Sequence, residues 1–324
     1  MGCILTKVCE TDEDRTRRIP CGRPQATPAA DRVPLVHYGG GVPGVALDEA
    51  ALASPQWTGA VDGGYTSAGG RLNHTVRELY HQHIATAYRD VVVGSKNESK
   101  RRASVGNDLM GDVFQRAARG VTDALVARAA PASALDISVS GTTAVAMLVC
   151  DRDVFVANVG DSRAVLATYA PHENRYVVRY ETRDHKPEAP DERQRIESHN
   201  GRVYEWGTFR VWLQDVDMPG LAMSRSFGDA IATSIGVNSD PDVAYVGDKV
   251  VHGDAAHPSF AVLASDGVWE FMSTDECVAL VANCLTEKKM TPQEACNALV
   301  AEATERWNKE EDVVDDITAL VVCF

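Results

Sequence analysis

Two strongly apolar runs, "AVAMLVCDRDVFVAN" and "AVLATYA", flank a tight "GDS" turn at residues 160–162. Both runs are rich in Val, Ala and Leu and are bounded by turn residues, so they read as strands of a sheet core. The turn between them carries a carboxylate, Asp161. A carboxylate there is either solvated or aimed at something positive. Further acids at similar strand ends bear on the choice.

The surrounding pattern predicts a layered α+β domain. "RLNHTVRELYHQHIATAYRD" (71–90) sets Leu72, Val76, Leu79, Ile84 and Tyr88 on one helical face, and "NDLMGDVFQRAARGVTDALVARAA" (107–130) does so with Met110, Phe114, Val121 and Leu125. "RYVVRYET" reads as a strand, and "PDERQRIESHNGRV" as a short helix closed by Gly201. "SFAVLASDGVWEF" is a buried strand entering a turn. Two helices follow with capping-box starts, Ser273 with Glu276 and Thr291 with Glu294. "ITALVVCF" ends the chain as a buried strand. Strands and helices come in blocks rather than strict alternation, which favours antiparallel sheets. Residues 1–32 lack a hydrophobic period and are expected to be a flexible arm, with one folded domain over 33–324. The loop "GSKNESKRRASVG" (94–106) reads as solvated, its Ser104 included.

Charge narrows the partners. With 32 basic and 46 acidic residues the net charge is −14, which disfavours nucleic acid. Carboxylates that hold metal ions reverse the local sign, so phosphate groups stay possible as ligands. The eight cysteines form no C-x-x-C pair, and reduced thiols in a cytoplasmic protein are expected. No apolar run reaches membrane-spanning length. "MGCILT" nevertheless matches the pattern for myristoylation at Gly2, and Cys3 offers a second acylation position. Anchoring to the cytosolic face of a membrane is the corresponding expectation.

The acids at strand ends and Gly turns are Asp48, Glu49, Asp62, Asp161, Asp229, Asp266, Asp315 and Asp316. Hard divalent cations take such oxygen ligands, and the His and Cys residues show no zinc spacing. Asp is also an ordinary turn residue, and composition alone does not bring these groups together.

Six segments go further: "SGTTAV" (140–145), "VANVGDSRAVL" (156–166), "DHKPEAPDERQRIESHNGRV" (184–203), "GLAMSRSFGD" (220–229), "ASDGVWEFMS" (264–273) and "DDITALVV" (315–322). In this order they resemble the protein phosphatase 2C family of metal-dependent Ser/Thr phosphatases, in its form with a short flap. The resemblance implies a sandwich of two antiparallel β-sheets flanked by helix pairs, and two or more Mg²⁺ or Mn²⁺ ions per chain. It implies Asp266 and Asp315 as metal ligands and Asp161 as a ligand of a further, weaker site, assisted by Glu270. Its substrates are phosphoproteins, and a monomer is expected.

The amino-terminal half departs from the family pattern. "VALDEA" falls on the family's Arg-x-x-x-Glu-Asp stretch, so Glu49 stands where Asp is usual and Gly44 lies near the Arg position. "VDGGY" falls on the Asp-Gly-His-Gly-Gly turn, which keeps Asp62 and Gly63 as metal ligands but sets Gly64 where the His belongs. The Arg would grip phosphate and the His would protonate the leaving group. Arg71 and His74 are substitutes only if they leave the solvent. Two function classes stay open at this point: a phosphatase, and a pseudophosphatase that binds proteins through the same sandwich.

Overall fold

The computed structural model describes residues 2–9, 56–58, 68–88, 90, 107–129, 135–150, 153–247 and 256–324. In chain order the elements begin with β1 (Gly2–Cys9), β2 (Gln56–Thr58), α1 (Ala68–Tyr88) and α2 (Asn107–Arg128). The central strands follow: β3 (Gly141–Cys150), β4 (Asp153–Val159), β5 (Arg163–Ala170) and β6 (Arg175–Glu181). Next come α3 (Pro190–Ser198), β7 (Gly201–Trp206), β8 (Thr208–Leu213), β9 (Pro219–Leu221) and β10 (Phe227–Gly228). Then α4 (Ala230–Thr233), β11 (Asp242–Tyr245), β12 (Phe260–Ala264) and α5 (Asp266–Trp269) lead to the last helices. These are α6 (Thr274–Thr286) and α7 (Pro292–Glu310), and β13 (Ala319–Cys323) closes the chain.

Alternation along the strands builds the layers. In β3, Val145, Met147 and Val149 join Val154 and Val156 of β4 against Ala164, Leu166, Ala261 and Leu263 of the facing sheet. The intervening Ala144, Ala146 and Leu148 turn the other way and pack under α1 and α2 with Val76, Tyr80, Phe114 and Val121. On the far side, Val165, Ala167, Val262, Ala319 and Val321 pack under α6 and α7 with Val281, Cys296 and Leu299. Each wholly buried Val, Leu or Phe contributes roughly 1.5–3 kcal/mol relative to exposure. The result is helix pair, sheet, sheet, helix pair, with three apolar interfaces.

One sheet runs β11-β4-β3-β1-β2 with β10 also on β3, and the other runs β13-β12-β5-β6. A separate three-stranded sheet, β7-β8-β9, follows α3. All pairings within the second sheet are antiparallel, whereas β1 lies parallel to β3, with Gly2 opposite Thr143.

That parallel pairing corrects the expected arm over residues 1–32 for its first part. "GCILTKVC" has no helical period, but its apolar and β-branched residues suit a strand once β3 offers a free edge. A second correction concerns the end of α3. Asn200, at φ +62°, takes the left-handed position expected of Gly201. Gly201 is needed for another reason: a Cβ there would lie 2.5 Å from Ile196 Cγ2 and 2.9 Å from the Ile235 carbonyl oxygen. Both expected capping boxes form, at Ser273–Glu276 and Thr291–Glu294.

Candidate metal centre

The β4–β5 turn is shaped by a glycine whose replacement would strain it. Gly160 has φ +99°, and a Cβ on it would stand 2.2 Å from Thr143 Cγ2. Thr143 and Ser162 share a hydrogen bond of 2.7 Å between their hydroxyls, which ties the turn to β3. Asp161, between these two contacts, is buried with 3% exposure.

A carboxylate so buried needs a counter-charge. Lys186 supplies it, with Nζ 2.7 Å from Asp161 Oδ2. Burial alone would lower the Lys186 pKa. The charge of Asp161, backed by Asp184 and Asp266, outweighs burial and raises it. Two residues after Asp161 and two before Lys186 the signs are exchanged. Arg163 grips Asp184 with two bonds, Nε to Oδ1 at 3.0 Å and Nη2 to Oδ2 at 2.8 Å. Its Nη1 donates to Thr274 Oγ1 at 3.0 Å, and its guanidinium lies 5.1 Å from the Trp269 ring centroid. Arg163 thereby braces the turn against α5 and the start of α6.

Asp266 enters from the end of β12, in the first turn of α5. Ser265 N donates to the Thr318 carbonyl at 2.9 Å, and Thr318 N donates to Ser265 Oγ at 3.0 Å. A Cβ on Gly267 would lie 2.6 Å from the Asp316 carbonyl oxygen, so the two carboxylate-bearing segments touch through their backbones. Burial, and then the charge of Asp161, push the Asp266 carboxyl well above the usual range. Asp315 adds to this shift, and Lys186 opposes it. Asp161, Asp266 and Asp315 therefore share one electrostatic field, at the carboxyl end of β12 and the adjoining turns.

The other acids take different places. Asp229 is buried at φ +46° and accepts from Ser226 Oγ at 2.7 Å, packed over Gly141 where a Cβ would clash with it. Asp316 donates its N–H to Asp315 Oδ1 at 2.7 Å and accepts from Ser265 Oγ at 3.2 Å on its carbonyl. Glu270 caps α5 with its backbone N–H on the Asp266 carbonyl, and its side chain is exposed. Glu49, Asp62 and Gly63 lie outside the described residues, as do Asp48, Gly44, Gly64 and Ser104. So do the side chains of Cys3, Arg71 and His74.

Among the described residues, no group of three or more His, Cys, Asp and Glu is drawn closely enough to hold a metal ion unaided. What they form fits part of a cation site. Asp161 and Asp315 each act on Asp266 there, and an ammonium already sits on Asp161. Oxygen donors without His or Cys suit Mg²⁺ or Mn²⁺. Sequence reasoning missed Lys186, Arg163, Asp184 and His185, although all lie in the segments quoted above. The readable signal was the order of charges: Asp-x-Arg at 161–163 against Asp-x-Lys at 184–186.

The sequence profile of the family described as Protein phosphatase 2C matches residues 61–312. The chain is 42% identical over 192 residues to "Probable protein phosphatase 2C 12" of Oryza sativa subsp. japonica, covering 57% of this chain and 46% of that protein. It is 40% identical over 199 residues to "Probable protein phosphatase 2C 48" of the same plant, covering 59% and 53%. The chain thus spans about half the length of these curated relatives. A serine-threonine phosphatase 2C from Toxoplasma gondii has the same fold, with a TM-score of 0.67 at 22% identity over 83% of this chain and 84% of that one. The layered sandwich, the six motif segments in order and the profile match agree: the chain belongs to the protein phosphatase 2C family.

Proposed function

We propose that this protein is a Mg²⁺- or Mn²⁺-dependent protein Ser/Thr phosphatase with two or more ions per chain. The observation that carries the reading is the shared field of Asp161, Asp266 and Asp315 at facing strand ends, with Lys186 as resident cation. Bound ions would supply an activated nucleophile and neutralise the phosphoryl oxygens.

The chain's own residues have separable tasks in this reading. Asp161, Asp266 and Asp315 hold cations from the described side of the site, and Glu49, Asp62 and the Gly63 carbonyl complete the set. Lys186 balances Asp161 when no metal is bound. The Arg163–Asp184 pair fixes the spacing between the β4–β5 turn and the α5 turn. With Gly44 and Gly64 near the family's Arg and His positions, the chain holds phosphate and protonates the leaving oxygen weakly. The substrates are phosphoserine and phosphothreonine proteins.

The proposal includes a cytoplasmic protein held at a membrane by acyl chains on Gly2 and Cys3, which the "MGCILT" pattern supports. One chain alone gives only marginal, reversible binding, and two give stable anchoring. Gly2→Ala should release the protein fully from membranes and Cys3→Ser partly. A wholly soluble wild type would refute the anchor.

Hydrolysis of a phosphothreonine peptide, with and without Mn²⁺, tests the activity. Turnover should require the metal and be lost in Asp266→Ala. Failure to hydrolyse any phosphoester in saturating Mn²⁺ would replace this reading by the pseudophosphatase one.

A further inference from the structure

The glycine that the β4–β5 turn requires also leaves that turn free to move, since Gly tolerates many backbone conformations. Something must fix Gly160 if Asp161 is to point one way. Its two polar backbone groups are held by three hydrogen bonds. The Gly160 N–H donates to His185 Nδ1 at 2.9 Å. The Gly160 carbonyl accepts from His185 N at 3.0 Å and from Asn158 Nδ2 at 3.0 Å. His185 thus provides two of the three, one from its ring and one from its backbone.

The ring is wholly buried. Because Nδ1 accepts a hydrogen bond, the ring hydrogen resides on Nε2. Nε2 lies 3.1 Å from Asp242 Oδ2, close but without the alignment of a well-formed hydrogen bond. Asp242 in turn accepts from Arg225 Nη1 at 2.8 Å, and Arg225 is clamped on buried Glu192. The His185 carbonyl accepts from Ser224 N at 2.9 Å, and Ser224 Oγ also donates to Glu192. The His185 backbone is therefore tied through Ser224 to the ionic network around buried Glu192, and its ring lies against Asp242 at the edge of that network.

We propose that His185 is a positioning residue that locks the Gly160 turn through Nδ1 and so aims Asp161 at its cation. The proposal rests on the reading of Asp161 as a cation ligand. His185 touches no cation itself. It acts as the outer partner of a ligand-bearing turn, and loss of such partners typically costs about 10–100-fold in metal affinity.

The experiment is a calorimetric Mn²⁺ titration of the full chain, with melting temperature measured in chelator, for wild type, Asp161→Asn, His185→Leu and His185→Asn. Leu removes the acceptor for the Gly160 N–H, whereas the Asn side-chain oxygen reaches the place of Nδ1. The Asp161-dependent binding should weaken at least about tenfold in His185→Leu, within the range above, and recover to near wild type in His185→Asn. Both variants should lose stability in chelator, so stability alone does not account for that contrast. Should His185→Leu fail to fold, His185→Gln replaces it, because its amide reaches the Nε2 position and not Nδ1. Wild-type affinity in His185→Leu, alongside weakened binding in Asp161→Asn, overturns the positioning role. Equal weakening in the Leu and Asn variants overturns it too. Unchanged binding in Asp161→Asn overturns the ligand reading and the proposal with it.

Discussion

Lys186 Nζ stands 2.7 Å from Asp161 Oδ2, and two residues away along both segments Arg163 and Asp184 form the reverse pair. The pairs join residues 25 and 21 apart in sequence, and their opposite charges match across the two segments. The first pair faces the carboxylate cluster and the second braces it. Under the proposed function, a metal ion at Asp161 would compete with the lysine for the same oxygen.

Removal of Lys186 should expose this competition. In Lys186→Met the buried Asp161 loses its counter-charge, so the metal-free protein should be less stable than wild type. The loss should stay below the roughly 3–5 kcal/mol of a fully buried pair, because Lys186 is partly exposed. Mn²⁺ should restore most of that stability and bind more tightly than to wild type. Chemical denaturation with and without Mn²⁺ measures both effects. Equal stability of the two metal-free proteins would contradict the pairing.

The Gly160 turn is testable without metal. Gly160→Ala puts a methyl group into Thr143 at a backbone angle that L side chains rarely adopt. Overpacking of this kind costs about 1–3 kcal/mol, and the left-handed angle adds roughly 1–2 kcal/mol. Urea denaturation should report a combined loss in that range. Gly207, at φ +72° but with open space around it, should lose only the smaller, conformational part in Gly207→Ala. Equal losses at the two positions would show that contact with Thr143 does not shape the turn.

Much of this was legible from the chain alone. The apolar run through β3 and β4 marked buried strands, but because Val145, Met147 and Val149 and the intervening Ala144, Ala146 and Leu148 are all apolar, the layer each enters came only from the fold. The capping boxes are local, being four-residue motifs. Asp161 and Asp266 could be singled out because tight Gly turns at strand ends are visible in sequence. The parallel strand Gly2–Cys9 was not legible, since its hydrogen bonds come from β3, more than 130 residues away. His185 and Lys186 were missed for the same reason. Their roles exist only once the 184–186 segment lies across the β4–β5 turn.

The buried network behind that turn should set part of the acid sensitivity. Burial alone would raise the Glu192 pKa, but hydrogen bonds from Arg225, Arg195 and Ser224 outweigh it and lower it from 4.5 to about 2. A carboxylate depressed by folding contributes stability above its unfolded value, and that stability is lost as pH falls through the folded value. Wild type should therefore lose about 3 kcal/mol through Glu192 between pH 4.5 and 2. Glu192→Gln should be less stable at pH 7 and show a shallower decline over that window. Denaturation curves at pH 7, 4.5 and 3 decide it, and parallel declines would rule out the contribution.

If Gly64 stands at the family's His position, as the proposed function holds, the chemistry itself should bear the mark of it. A departing serine or threonine alkoxide is strongly basic and needs a proton as it leaves. A nitrophenolate does not. A positioned general acid is worth about 10²–10⁴-fold in rate, and its absence should fall almost wholly on the first kind of substrate. Phosphothreonine peptides should therefore be cleaved far more slowly than p-nitrophenyl phosphate at the same Mn²⁺ concentration. Gly64→His should narrow the gap by accelerating the peptide reaction and leaving the aryl ester almost unchanged. Gly44→Arg should act differently, lowering KM for both substrates by gripping phosphate in ground and transition states alike. Equal rates for both substrates in the wild type would mean that another residue delivers the proton.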